Sequence, residues 1–158
     1  MSIRIRPLVD ADLDAAMVID AGYAAAHGVQ PLVNLAALRF FERSGHSFVA
    51  EQVDEAGTTC TTGFVLAQAI WSGERPTVHA ARLAVAGAAA ATTSTSLVKA
   101  LVKSAYDSGV YDLYFRTPAS DVALREALTG EGYLPDDHVT LQLVLGARGQ
   151  GWAEARRA

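Results

Sequence analysis

The chain has 158 residues, 51% of them hydrophobic and 19% charged, with a formal net charge of −4. A domain of this size buries roughly 70% of the surface its unfolded chain exposes, so it needs neither a metal nor a disulfide staple. The acidic balance speaks against nucleic acid as a partner, and the one cysteine, Cys60, cannot form an intrachain disulfide and suits a reducing cytoplasm. No apolar run approaches the ~20 residues that span a membrane, and Met1 to Arg4 lack the apolar stretch of a signal peptide.

Ile3 to Leu8 alternates and reads as a strand, with Pro7 at its end or on an edge. Asp10, Asp12 and Asp14 place acid at the start of a helix, whose stripe Leu13, Met17 and Ala21 is expected to be buried and which stops at Gly28. Asn34 suits the cap of a second helix through Leu35, Leu38 and Phe41, ending at Ser44-Gly45. Strands follow over Ser47–Val53, Thr61–Trp71 and Thr77–Val85, separated by turns at Asp54–Gly57 and Ser72–Pro76. After the small-residue stretch Ala86–Ala91 comes a strongly amphipathic helix, with Leu97, Leu101 and Val102 on the expected core face and Gly109 as its stop. Val110–Arg116 reads as a fifth strand in which Tyr111, Leu113 and Phe115 face the core. Asp121–Thr129 reads as a helix ended by Gly130, and His138–Leu145 as the last strand. This order predicts an α/β protein with one central twisted mixed sheet flanked by helices. The expected domain spans residues 1–146, and residues 147–158 form a tail.

Several local pieces accompany that order. Ile5-Arg6-Pro7 is followed by Ala11-Asp12-Leu13, Arg82-Leu83-Ala84-Val85 closes the fourth strand, and Gly130-Glu131-Gly132-Tyr133 ends the last helix. Together they resemble the GNAT acyltransferase superfamily over Ile3 to Leu145. The stretches Phe40–Phe48 and Lys103–Tyr111 also resemble a small bacterial family of GNAT-like proteins of unknown function. The resemblance implies the GNAT fold and an N-acyltransferase that moves an acyl group from acetyl-CoA or another acyl-CoA to a small-molecule amine. The alternative is a non-catalytic GNAT-like module that binds a metabolite or a protein partner; fold alone does not decide between them. The oligomeric state stays open.

In the superfamily a Gln/Arg-x-x-Gly-x-Gly/Ala loop cradles the coenzyme A pyrophosphate at a helix N-terminus. The matching segment here, Ala86–Ser96, has neither the leading Gln or Arg nor the paired glycines. Thr92, Thr93, Ser94, Thr95 and Ser96 are small and bear hydroxyls; they either meet the cofactor's phosphates or cap the helix. The backbone of Leu83, Ala84 and Val85 is the expected source of an N–H that polarises the thioester. The position of the family's acid, a tyrosine, falls at Leu128, which has no proton to give. His79 on the fourth strand is the candidate base, against the reading of a hydrogen-bonded structural histidine. Tyr114 and Arg116 share one side of the fifth strand, and Tyr114 is the second candidate catalytic group. The four histidines have no metal-ligand spacing, there is no G-x-S-x-G, and Arg148–Gly151 has no helix behind it to make a phosphate loop.

Overall fold

β1 (Ser2–Pro7) leads through a short 3-10 turn at Asp10–Asp12 into α1 (Leu13–His27) and then α2 (Leu35–Glu42). A computed structural model describes residues 2–87, 90–141 and 143 of the chain. Gly28 ends α1 with φ 62°, a left-handed conformation that costs glycine nothing. Asn34 caps α2 as its side chain allows, accepting the Ala37 N–H at 2.9 Å. β2 (Phe48–Val53), β3 (Thr59–Ser72) and β4 (Arg75–Val85) form an antiparallel meander, α3 (Ala90–Asp107) crosses over, and β5 (Leu113–Phe115) joins β4 in parallel. α4 (Val122–Gly130) follows, and the sheet order is β1-β2-β3-β4-β5.

The sheet has a core on each face. Val65, Ala67, Val78, Ala80 and Leu83 pack under α3 and α4, with Leu97, Val98, Leu101, Leu124 and Leu128 from the helices. Phe64, Leu66 and Ala84 pack under α1 and α2, with Ala16, Ile19, Leu38 and Phe41. One feature of β4 sorts its side chains between these cores. The β3–β4 register passes from Ala67↔Ala80 to Leu66↔Arg82, so Ala81 is an extra residue, a β-bulge. Before it, even-numbered residues face α3; after it, odd-numbered ones do.

Three core expectations need correction. The buried side of α1 is Ala16, Ile19, Asp20 and Ala24, whereas Met17 and Ala21 are exposed. The helix is apolar around most of its circumference, and its innermost group is a carboxylate held by a partner far along the chain, so periodicity alone selects the wrong stripe. Leu97 and Leu101 are buried, but Val102 is 39% exposed at the margin of the α3 face. Tyr111 is 73% exposed, because β5 begins only at Leu113; its ring rests on Tyr106 at the surface, with centroids 5.8 Å apart. The expected last strand lies partly outside the described residues: His138–Leu141 and Leu143 are in no strand, and 142, 144 and 145 are not described. The expected tail, 147–158, likewise lies outside them. Among the described residues no helix is long and apolar enough to cross a membrane.

Candidate functional site

β4 and β5 stay paired only from Val78↔Leu113 to Ala80↔Phe115, and the last bond between them is Arg116 N–H to the Ala80 carbonyl, 3.0 Å. From Ala81 onward β4 has no strand on that side, so the strands part earlier than Val85, where the sequence places the splay. In an antiparallel pair, alternate residues turn their N–H groups toward the neighbour. Ala86 donates to Thr62 of the β3 side at 2.8 Å, which sets the alternation and turns the Leu83 and Val85 N–H groups into the gap. Ala84, between them, donates to β3 instead. Of the three residues expected to offer a polarising N–H, two therefore do.

The far end of the gap is packed tightly. Gly63 of β3 has no room for a side chain: a Cβ there would lie 2.8 Å from Val85 Cγ1, 3.0 Å from the Ala84 carbonyl oxygen and 3.2 Å from Thr93 Cγ2. That glycine lets the start of α3 settle onto the end of β4. α3 is described from Ala90, so Thr92 to Ser96 lie within its first turns instead of before them. A helix leaves only about its first four N–H groups unbonded, which places Thr92 at the limit of the free donors and Thr93, Ser94, Thr95 and Ser96 inside the helical ladder. Thr93 and Ser94 are buried, and the Ser96 hydroxyl donates to the Thr92 carbonyl at 2.9 Å. The hydroxyls of this run are helix residues in the core or bonded along the helix; Thr92 alone is exposed.

His79 and Tyr114 are brought together. They are register partners across β4 and β5, on the α1 face, with rings stacked at 4.9 Å and 30°. His79 Nε2 lies 2.9 Å from Thr77 Oγ1, and burial lowers the imidazole's pKa below the usual histidine value, so the ring is neutral at pH 7. Tyr114 is 38% exposed. Leu128 is buried in the α3-side core and offers no hydroxyl to this region.

A second set of residues was not read from the sequence as a site. Arg82, just past the bulge, donates from Nη1 to Asp20 Oδ1 at 2.6 Å and from Nη2 to the Gln30 carbonyl at 3.0 Å. Asp20 Oδ2 accepts the N–H groups of Leu32 and Val33 at 2.5 and 2.8 Å. The Tyr23 hydroxyl donates to Asp121 Oδ2 at 2.7 Å, while Asp121 Oδ1 caps α4 by accepting the Leu124 N–H at 3.1 Å. Burial, helped by that carboxylate, pushes the Tyr23 hydroxyl well above the usual phenol range. Thr117 Oγ1 is buried beside Tyr23 without meeting good hydrogen-bond geometry. The signal for this set was present but faint: Asp20, Tyr23 and His27 recur at helical spacing along one side of α1. Outside β5, a groove of about 940 Å³ is lined by Leu113, Phe115, Val122, Leu128 and Tyr133 among others. The Tyr133 hydroxyl is buried there with no partner, its pKa pushed up to about 12 by burial and by Glu131.

A sheet split between β4 and β5, with free N–H groups in the split and a helix starting beyond it, is the frame of an acyl-CoA site. Residues 29–152 match the profile of a family described as "Protein of unknown function (DUF1999)". The chain belongs to this family. The family's fold is seen in the wild-type crystal structure of TTHA1254 from Thermus thermophilus, which is 39% identical to this chain with a TM-score of 0.71, covering 92% of this chain and 99% of that one. A structure described as a predicted acetyltransferase with acetyl-CoA from Clostridium acetobutylicum is 12% identical, TM-score 0.65, over 90% and 97% of the two chains. The ribosomal-protein-alanine N-acetyltransferase from Brucella melitensis biovar Abortus 2308 is 14% identical, TM-score 0.63, over 92% and 100%. None of the curated proteins matches the chain. The fold of this family member is that of the GNAT acyltransferases.

Proposed function

We propose that the chain is an N-acyltransferase that moves the acyl group of acetyl-CoA, or of another acyl-CoA, to a small-molecule amine in the cytoplasm. The observation that carries this reading is the gap between β4 and β5 with the Leu83 and Val85 N–H groups turned into it. Two backbone donors fixed in a strand need no reorganisation, and they stabilise negative charge as it gathers on a carbonyl oxygen. The phosphate end of the co-substrate has the free N–H groups at the start of α3 to bind, with Thr92 as the exposed side chain. No cation replaces the family's missing Gln or Arg there, so affinity is lower than a full phosphate loop gives.

The chemistry is a direct transfer. The amine nitrogen forms the new bond to the acyl carbon, its surplus proton passes to His79 Nδ1 directly or through a water, and the carbon–sulfur bond breaks. The leaving sulfur takes a proton, for which the Tyr114 hydroxyl is the nearest phenol to His79. His79 suits the role because its ring is neutral and its Nε2 is occupied by Thr77, which leaves Nδ1 free to accept. One observation favours the alternative, a non-catalytic module: the place of the family's acid is a buried leucine, Leu128.

Calorimetric titration with acetyl-CoA, followed by an assay of thiol release with a panel of amines, separates the readings. Binding that Thr92→Asp weakens, with thiol release, supports the enzyme; binding without release for any amine supports the module. No binding at millimolar ligand sinks both the co-substrate and the enzyme.

A further inference from the structure

α1 spans the point where the two strands separate. Asp20 ties it to Arg82 of β4, while three and seven residues on, Tyr23 and His27 tie it to the segment after β5: Tyr23 to Asp121, and His27 Nδ1 to Ser120 Oγ at 3.1 Å. The three side chains lie on one side of the helix, so α1 roofs the gap on the face opposite α3. The Tyr23 ring sits between the two sets of ties. It packs against the core that holds Ala81 and Ala84, lies under the Arg82 guanidinium at 5.2 Å, and touches His27 at a centroid distance of 4.5 Å. Its far end is pinned by the 2.7 Å bond to Asp121. A ring packed on its sides and pinned at its tip does not swing aside without leaving the Asp121 carboxylate, itself almost fully buried, short of a donor.

Resting on the acyltransferase reading, we propose that Tyr23 closes the α1 end of the gap and restricts the acyl group to a short chain. An acyl carbon held at the Leu83 and Val85 N–H groups points its chain toward this roof. A two-carbon group stops short of the ring; a longer one must displace it and break the Tyr23–Asp121 bond. Tyr23 is a specificity residue here, not a group that handles the reacting atoms.

The test compares acetyl-CoA with octanoyl-CoA, by calorimetry and by thiol release, in the wild-type chain, Tyr23→Phe, Tyr23→Leu and Tyr23→Ala. The wild type should favour acetyl-CoA. Tyr23→Ala and Tyr23→Leu should shift the preference toward octanoyl-CoA by about tenfold or more, the scale at which pockets discriminate apolar length. Tyr23→Phe keeps the ring and should keep the wild-type preference, although its melting temperature falls with the lost hydrogen bond. Tyr23→Leu keeps apolar packing, so it carries the comparison if Tyr23→Ala does not fold; circular dichroism checks each. An unchanged preference in the folded Leu or Ala variant overturns the proposal. So does a wild type that binds both ligands equally, while the acyltransferase reading survives that result. A wild type that binds neither removes the acyltransferase reading, and this proposal with it.

Discussion

Removing the Asp20 carboxylate should destabilise the fold more than any other single truncation on α1. The side chain is 1% exposed and serves three donors: Arg82 Nη1 at 2.6 Å and the N–H groups of Leu32 and Val33 at 2.5 and 2.8 Å. Asp20→Ala leaves a guanidinium that is only 10% exposed without its counter-ion, and it orphans two amides in the loop between α1 and α2. Breaking a buried pair by deleting one partner costs about 3–5 kcal/mol, so about 4 kcal/mol is expected. With a urea dependence of about 2 kcal/mol per molar, typical of small domains, the unfolding midpoint should fall by about 2 M. Arg82→Ala should cost less, since Asp20 keeps its two amide donors. The Asp20→Ala/Arg82→Ala double variant should lose at least about 1 kcal/mol less than the sum of the singles. A midpoint shift below about 0.5 M for Asp20→Ala, or additive singles, would refute the claim that this pair organises the α1 roof.

Gly63→Ala should cost about 1–3 kcal/mol in the same urea assay, because its Cβ would sit 2.8 Å from Val85 Cγ1 and 3.0 Å from the Ala84 carbonyl oxygen; an unchanged midpoint would mean α3 does not press on β4 as described. Burial lowers the pKa of His46, whose Nδ1 meets Ser104 Oγ at 2.9 Å. The unfolded chain therefore takes up the proton first as pH falls, so this contribution is intact above the ordinary histidine value of about 6.5 and is lost below it. His46→Gln should narrow the loss of stability between about pH 7.5 and pH 5; an identical loss in both proteins would contradict the assignment. His79→Ala should slow acyl transfer by about a hundredfold or more while leaving acetyl-CoA affinity within a few-fold. Because the imidazole pKa is depressed, the wild-type rate should hold to lower pH than a solvent-exposed histidine would allow. Equal rates in the two proteins would return His79 to a structural role.

What was legible in the sequence was local. The Asn34 cap, the amphipathic face of α3 through Leu97 and Leu101, and the meander from β2 to β4 each depend on residues a few positions apart. So did the pairing of His79 with Tyr114, which needed only the correct order of two strands. The start of α3 was misplaced because Thr92–Ser96 carries the hydroxyls that normally mark a cap, while Ala90 and Ala91 carry no mark at all. The roof of the gap was invisible for a different reason. Tyr23 and Asp121 are 98 positions apart and Asp20 and Arg82 are 62 apart, and no pattern in α1 announces partners at that range. A buried aspartate reads as surface until its arginine is found.

The bulge at Ala81 makes β4 a strand that counts its residues. Suppose one residue were deleted there and the pairing with β3 otherwise kept. Everything downstream would then take the opposite side: Arg82 would point at α3 with no carboxylate to meet it, and Leu83 would point at α1. The free N–H groups would also change address, since those now at Leu83 and Val85 would turn to β3 and those of Arg82 and Ala84 would face the gap instead. Replacing Ala81 with serine or glycine should be mild by comparison, because the position matters for being occupied more than for what occupies it. In relatives of this chain, length at this point of the strand should therefore vary less than the identity of the residue that fills it.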